Sequence, residues 1–203
     1  MNAPTDEQLL RDHIEGKESS FELLVRRHSQ ELYQFVLRFT GASGMAEDVV
    51  QETFLQVHRS ATQFDPKRRF KPWLFTIGAN KARDHLRRVS RRREVPIDAH
   101  VGGAEDAGQR FVDLLAGGDV LPEDDLALNE KRRLVRSLLE SMPQKLREVL
   151  VLAYYHRFAY RDIAEILGVP LGTVKSRLHG AVANFGRRYR QAVVGHEQEQ
   201  GEH

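Results

Sequence analysis

The stretch Tyr160–Ala181, YRDIAEILGVPLGTVKSRLHGA, carries apolar residues at helical spacing on both sides of an interruption, Gly168-Val169-Pro170-Leu171-Gly172. Ile163, Ala164 and Leu167 share one face before the break, and Val174, Leu178 and Ala181 form a second stripe after it. Glycine adopts the left-handed conformation that stops a helix, and Pro170 pushes Val169 into an extended one. The pattern therefore predicts two short helices over a tight turn, a helix-turn-helix, with the small Ala164 permitting close approach. At about 100° per residue, Gly172, Thr173, Ser176, His179 and Gly180 point away from the second stripe, with Lys175 and Arg177 flanking it. A small polar face bordered by cations suits a DNA major groove, where side chains meet base edges and flanking bases grip phosphate. The plain alternative is a helical hairpin whose polar face is incidental.

Outward from this stretch, helical spacing recurs and no segment shows sustained strand alternation, so the chain reads as all-α. Phe21, Leu24, Val25, Leu32, Phe35, Val36 and Phe39 make one long stripe, closed by a turn at Gly41-Ala42-Ser43-Gly44. A second helix is expected from about Met45 to Ala61, burying Ala46, Val49, Val50, Thr53, Phe54 and Val57. A third begins near Phe70, after a loop at Asp65-Pro66. Downstream, Leu126, Leu128, Leu134, Val135, Leu138 and Leu139 mark another helix. Ser141, Pro143 and Gln144 resemble the cap of a further one carrying Leu146, Val149, Leu150 and Ala153.

Charge divides the chain more sharply than its net +2 suggests. The net charge by segment is −5 over residues 1–65, +10 over 66–93, −9 over 94–130, +9 over 131–194 and −3 over 195–203. Two dense basic blocks separated by an acidic one argue for polyanion binding at two places. Residues 94–125, punctuated by Pro96, Gly102-Gly103, Gly108, Gly117-Gly118 and Pro122, read as a flexible acidic linker, with Phe111, Val112, Leu114 and Leu115 forming one short amphipathic turn. The expected organisation is two small helical domains, 1–93 and 126–194, with the linker 94–125 between them and a polar, disordered tail over 195–203.

On the helix from Phe70, a core stripe of Phe70, Leu74 and Ile77 runs beside a second stripe of Trp73, Thr76, Asn80, Arg83 and Arg87. An aromatic, an amide and guanidinium groups in register supply a stacking surface, a base-edge reader and phosphate grips for single-stranded DNA. Trp73 reads equally as a residue of the core rim. Arg87, Arg88, Arg91, Arg92 and Arg93 extend the phosphate grip. Gly78 inside this helix reads as a local weakening of about 1 kcal/mol.

Other classes find less support. With no cysteine, the chain has no disulfide scaffold, thiolate zinc site or thiol nucleophile, and is compatible with a reducing cytoplasm. No apolar run approaches a membrane span, and Met1–Asp6 has neither part of a signal peptide, so the expectation is an intracellular protein. Catalysis lacks a constellation: Asp84 and His85 are adjacent on a helix and diverge by about 100°, so no metal site, cofactor or catalytic residue is expected.

The segment SMPQKLREVLVLAYYHRFAYRDIAEILGVPLGTVKSRL, within Leu138–Arg188, resembles region 4 of an extracytoplasmic-function sigma factor. AEDVVQETFLQVHR followed by FKPWLFTIGANKARDHLRR resembles region 2 of the same family. The resemblance implies a subunit that directs core RNA polymerase to promoters. It implies that Phe64, Lys67, Arg68 and Arg69, with Trp73, Thr76, Asn80, Arg83 and Arg87, capture the opened minus-ten strand. Thr173, Lys175, Ser176, Arg177 and His179 would read the minus-thirty-five duplex. Asp48, Gln51, Glu52 and Leu55, whose composition alone reads as ordinary solvation, would dock on the clamp helices of the polymerase largest subunit. An anti-sigma factor is an implied partner, and the acidic linker would thread polymerase channels. The alternative is an autonomous helix-turn-helix regulator that binds duplex DNA without polymerase.

Overall fold

Helix propagation needs a cap or a packed face, and each helix here has one or both. The computed structural model describes residues 3–91 and 126–200. Its elements are α1 (Asp6–Ile14), α2 (Glu18–Thr40), α3 (Ser43–Ser60), a 3₁₀ turn (Ala61–Gln63), α4 (Phe70–Arg91), α5 (Leu126–Ser141), α6 (Gln144–Leu150), a widened turn (Val151–Tyr155), α7 (Tyr160–Leu167) and α8 (Leu171–Gln200). No strand occurs among the described residues, in keeping with the all-α reading. Nor is any described helix long and apolar enough to cross a membrane. Two compact units result, one built on α1–α4 together with Arg161–Val169, which holds most of α7, and the other on α5, α6 and α8. The linker expected over 94–125, its amphipathic turn, Arg92 and Arg93 lie outside the described residues. Helix α8 runs to Gln200, past the boundary expected at residue 194.

In the first unit α2 packs on α3, and α3 on α4. Leu24, Leu32, Phe35, Val36 and Phe39 meet Ala46, Val49, Phe54 and Val57, while Phe21, Val25 and Val50 are only half-buried. Helix α2 stops at Gly41, whose φ of 77° is left-handed and whose N–H donates to the Leu37 carbonyl. The turn is tighter than expected, because Ser43 and Gly44 already belong to α3.

Helix α1 has no counterpart in the expected elements. Its signal is a capping box: Thr5 N–H donates to Gln8 Oε1 at 2.8 Å and Gln8 N–H to Thr5 Oγ1 at 3.2 Å. Leu9 and Leu10 then bury into the core.

Helix α4 corrects two expectations. Its inward side is Phe70, Leu74, Phe75, Gly78, Ala79 and Ala82, all buried, whereas Ile77 is half-buried. Gly78 is a site of close approach: a Cβ there would stand 2.8 Å from Leu32 Cδ1. The small residues bring α4 down onto α2, so the missing side chain is a packing requirement and more than a local weakness.

In the second unit Val135, Leu138, Leu139, Met142, Leu146, Val149, Leu150 and Leu152 bury together with Val174, Leu178, Ala181 and Phe185. Leu134 and Ala153 are half-buried. The predicted Ser141 cap is not formed. Ser141 ends α5, its hydroxyl donating to the Leu138 carbonyl at 2.8 Å and accepting from Arg188 Nη1 at 3.1 Å. Helix α6 starts instead at the Pro143 carbonyl, which receives the Leu146 and Arg147 N–H groups. After Leu150 the helix widens: His156 N–H reaches back to the Val151 carbonyl at 3.3 Å, and Arg157 closes the turn at φ 51°.

Gly78→Ala sets a helix-propensity gain of about 1 kcal/mol against overpacking of about 1–3 kcal/mol at the fully buried Leu32. The expected outcome is a unit destabilised by about 1 kcal/mol in chemical denaturation; a gain in stability would show that Leu32 moves aside without cost.

Candidate nucleic-acid interface

The turn between α7 and α8 forms by the predicted chemistry. Gly168 takes φ +64°, the Val169 N–H returns to the Ala164 carbonyl at 3.0 Å, and the Pro170 carbonyl accepts from Thr173 and Val174. Asp162, Ile163, Ile166 and Leu167 are the buried residues of α7; Ala164, expected at the contact, is only half-buried because Ile166 takes the inward position. The inward stripe of α8 is Val174, Leu178 and Ala181, as expected. Gly180, expected to point outward, is buried next to it.

The outward side of α8 presents Gly172, Lys175, Ser176 and His179, all exposed, with Thr173 half-buried. The Ser176 hydroxyl donates to the Thr173 carbonyl at 3.1 Å. Arg177 differs from its neighbours. Its side chain is 23% exposed and Nη1 lies 4.0 Å from Glu148 Oε1, so the guanidinium is drawn back toward α6. Glu148 is buried beside Arg147, whose Nη1 donates to the Glu140 carbonyl at 3.1 Å. Burial pulls the Arg147 guanidinium down from its ordinary pKa, against the upward pull of Glu140 and Glu148.

In the first unit, α4 aligns Trp73, Thr76, Asn80, Arg83 and Arg87 along one side. Asn80 and Arg87 are exposed and the other three half-buried. Arg83 Nη1 donates to Asn80 Oδ1 at 2.7 Å, which fixes the amide and turns its NH₂ group the other way. Arg87 pairs with Asp84 at 2.9 Å. Thr76 bonds the Pro72 carbonyl at 2.8 Å.

The loop before α4 is anchored at both ends by aromatic rings. The Phe64 ring lies 4.9 Å from Trp73 and 6.4 Å from Phe70, and Phe70 is 6.0 Å from Trp73. Trp73 thus combines rim packing with a partly exposed ring. Between the anchors, Asp65, Lys67, Arg68 and Arg69 are exposed. Asp65 organises the turn, accepting the Lys67 N–H on Oδ1 and the Arg68 N–H on its carbonyl, each at 2.9 Å.

On α3, Asp48, Gln51 and Leu55 are exposed, Leu55 by 56%. Glu52 leaves that group. Its carboxylate lies 3.1 Å from His85 Nε2 and 3.5 Å from Lys81 Nζ, both on α4. Burial pushes this carboxyl up, but the His85 hydrogen bond and charge together with Lys81 outweigh it and hold the pKa below its ordinary value. Asp84 and His85 therefore face different partners, and no group of three metal-ligating side chains occurs among the described residues.

The sequence reading missed several residues that shape these surfaces: Glu7, Glu148, and Asp162 and Glu165, which pair with Arg69 and Arg68. The capping box at Thr5 was a legible signal for the helix that carries Glu7. Nothing local marked Glu148, which lies 29 positions from Arg177 in the sequence.

With these surfaces in place, comparison with known proteins gives a consistent result. Residues 24–92 match the family model for sigma-70 region 2, and residues 132–184 that for sigma-70 region 4. The chain is 32% identical over 164 residues to the ECF RNA polymerase sigma factor SigW of Bacillus subtilis, covering 81% of this chain and 86% of the relative. It is 32% identical over 176 residues to the RNA polymerase sigma-H factor of Pseudomonas aeruginosa, covering 87% and 89%. Among solved structures, CnrH in complex with the cytosolic domain of CnrY aligns with a TM-score of 0.65 at 26% identity, over 93% of this chain and 99% of that one. RpoE of Bartonella quintana, solved with the anti-sigma factor NepR, shares the fold with a TM-score of 0.61 at 23% identity, over 84% and 96%.

Arg177→Ala is expected to lower stability by about 1 kcal/mol, through loss of the cation beside the buried Glu148. Lys175→Ala and His179→Ala, at exposed positions, should stay within about 0.5 kcal/mol of the parent. Thermal denaturation of the three variants checks the contrast.

Proposed function

The chain belongs to the extracytoplasmic-function group of the sigma-70 family, a sigma factor that binds core RNA polymerase and promoter DNA, and from that premise we propose how its surfaces divide the work. The loop Phe64–Phe70 and the outer side of α4 hold the opened minus-ten strand. Trp73 offers a stacking ring, Asn80 an outward NH₂ group, and Lys67, Arg68, Arg69 and Arg87 phosphate contacts. Helix α8 enters the minus-thirty-five major groove with Lys175, Ser176 and His179 toward base edges and Thr173 at the phosphate margin. Arg177, held near Glu148, acts at the edge of that contact. The domain division at residues 93 and 126 follows from this assignment, the acidic segment between them threading polymerase channels that otherwise carry nucleic acid.

Asp48, Gln51 and Leu55 dock on the clamp helices of the polymerase largest subunit, and Glu52 braces α3 against α4 beneath them. A regulatory protein of the anti-sigma type is a further partner, a reading supported by the similarity to CnrH, solved with the cytosolic domain of CnrY. The protein works in the cytoplasm, where it meets polymerase, and contributes recognition while the polymerase supplies catalysis.

The observation that carries this reading is the presence on one chain of two cationic surfaces of different character, one with an aromatic ring and an amide, the other a small polar helix face. An autonomous duplex-binding regulator would need only the second.

Purified chain with core polymerase should redirect transcription to new start sites on a randomised promoter library, and the chain alone should give no specific mobility shift at physiological salt. Specific binding without polymerase would favour the autonomous regulator. Asp48→Arg combined with Leu55→Ala should weaken core binding by about tenfold or more without lowering the melting temperature. Glu52→Lys, by contrast, should lower the melting temperature, because His85 and Lys81 lose their carboxylate.

A further inference from the structure

The first four N–H groups of any helix lack an intrahelical partner. Helix α4 begins at Phe70 and is preceded by Arg68-Arg69, which offer no side chain of the kind that caps a helix start. The cap comes from elsewhere. Glu7, on α1 and 63 positions away, accepts the Phe70 N–H on Oε1 at 2.9 Å. A carboxylate at this end also complements the helix dipole.

Glu7 is itself held in place. The Thr5–Gln8 capping box fixes the start of α1. Next to Glu7, Asp6 lies 2.6 Å from Arg27 Nη1 and 2.8 Å from His28 Nε2, which ties α1 to α2. The His28 ring in turn lies 5.5 Å from the Phe70 ring. The exit of the exposed loop is thus fixed through its backbone by Glu7 and through its side chain by the Phe64, Trp73 and His28 rings.

We infer that Glu7 is a positioning residue for minus-ten capture: its carboxylate caps α4 and sets where the loop Asp65–Arg69 meets the opened strand. The inference rests on the assignment of that loop to single-stranded DNA made above. Preorganisation is the physical benefit, since a loop whose exit is fixed loses less conformational freedom when it closes on a base.

The test uses holoenzyme formed with the full chain, unchanged or carrying Glu7→Gln, Glu7→Ala or Glu7→Asp. The probes are a labelled single-stranded minus-ten oligonucleotide and a duplex minus-thirty-five fragment, both taken from a promoter selected out of the randomised library. Glutamine keeps the Oε1 acceptor and should bind the oligonucleotide within about twofold of the parent, whereas alanine, and aspartate with its shorter reach, should lose about fivefold. All four should hold the duplex fragment equally. Equal affinity of the alanine variant and the parent for the oligonucleotide would overturn the inference, as would equal losses for glutamine and alanine or a matching loss on the duplex fragment. Failure of the unchanged holoenzyme to bind the oligonucleotide would instead overturn the minus-ten assignment on which the inference stands.

Discussion

The seat of Leu32 on Gly78 sets the position of α4, and much of the first unit follows from it. With no Cβ at residue 78 and alanine at 79 and 82, the inner side of α4 sits close against α2. The opposite side, bearing Trp73, Asn80 and Arg87, is then carried on an element whose placement is fixed by close packing and tolerates little shift. On the proposed minus-ten role, a surface that receives an unstacked base needs that rigidity, because misplacement by a fraction of an ångström weakens stacking and hydrogen bonding together.

Carboxylates supply a second layer of organisation. The two basic surfaces of this chain are stabilised from behind by acids: Glu7 at the start of α4, Glu52 beneath His85 and Lys81, and Glu148 behind Arg177. Each lies on a different element from the groups it holds. This arrangement offsets part of the mutual repulsion of clustered cations. Glu148 is buried and Glu52 half-buried, so loss of the cation beside either is costly, and each pairing also fixes orientation.

Aiming helix α8 is a different problem. A left-handed glycine and a proline whose carbonyl opens the next helix confine the change of direction to a few residues. The buried stripe of Val174, Leu178 and Ala181 then settles which side of α8 faces outward. That side carries Gly172, Lys175, Ser176 and His179, while Arg177 is drawn back toward Glu148.

The sequence alone was enough for the features whose physics is local. Helical periodicity located α2, α3, α4 and α8; Gly168 and Pro170 marked the turn; charge blocks marked the two basic surfaces; and the two quoted stretches carried the family resemblance. Thr5 and Gln8 would have revealed α1 in the same way. Only the tertiary structure decided that Gly78, Ala79 and Ala82 face inward in preference to Ile77, that Ile166 displaces Ala164, and that Glu52 and Arg177 turn away from the surfaces their positions suggested. The reason is common to all of these. Periodicity fixes a helix face only to within about one residue, and the choice between adjacent positions is made by the volume of the neighbouring helix. Long charged side chains take their direction from partners such as Glu148 that lie far away along the chain.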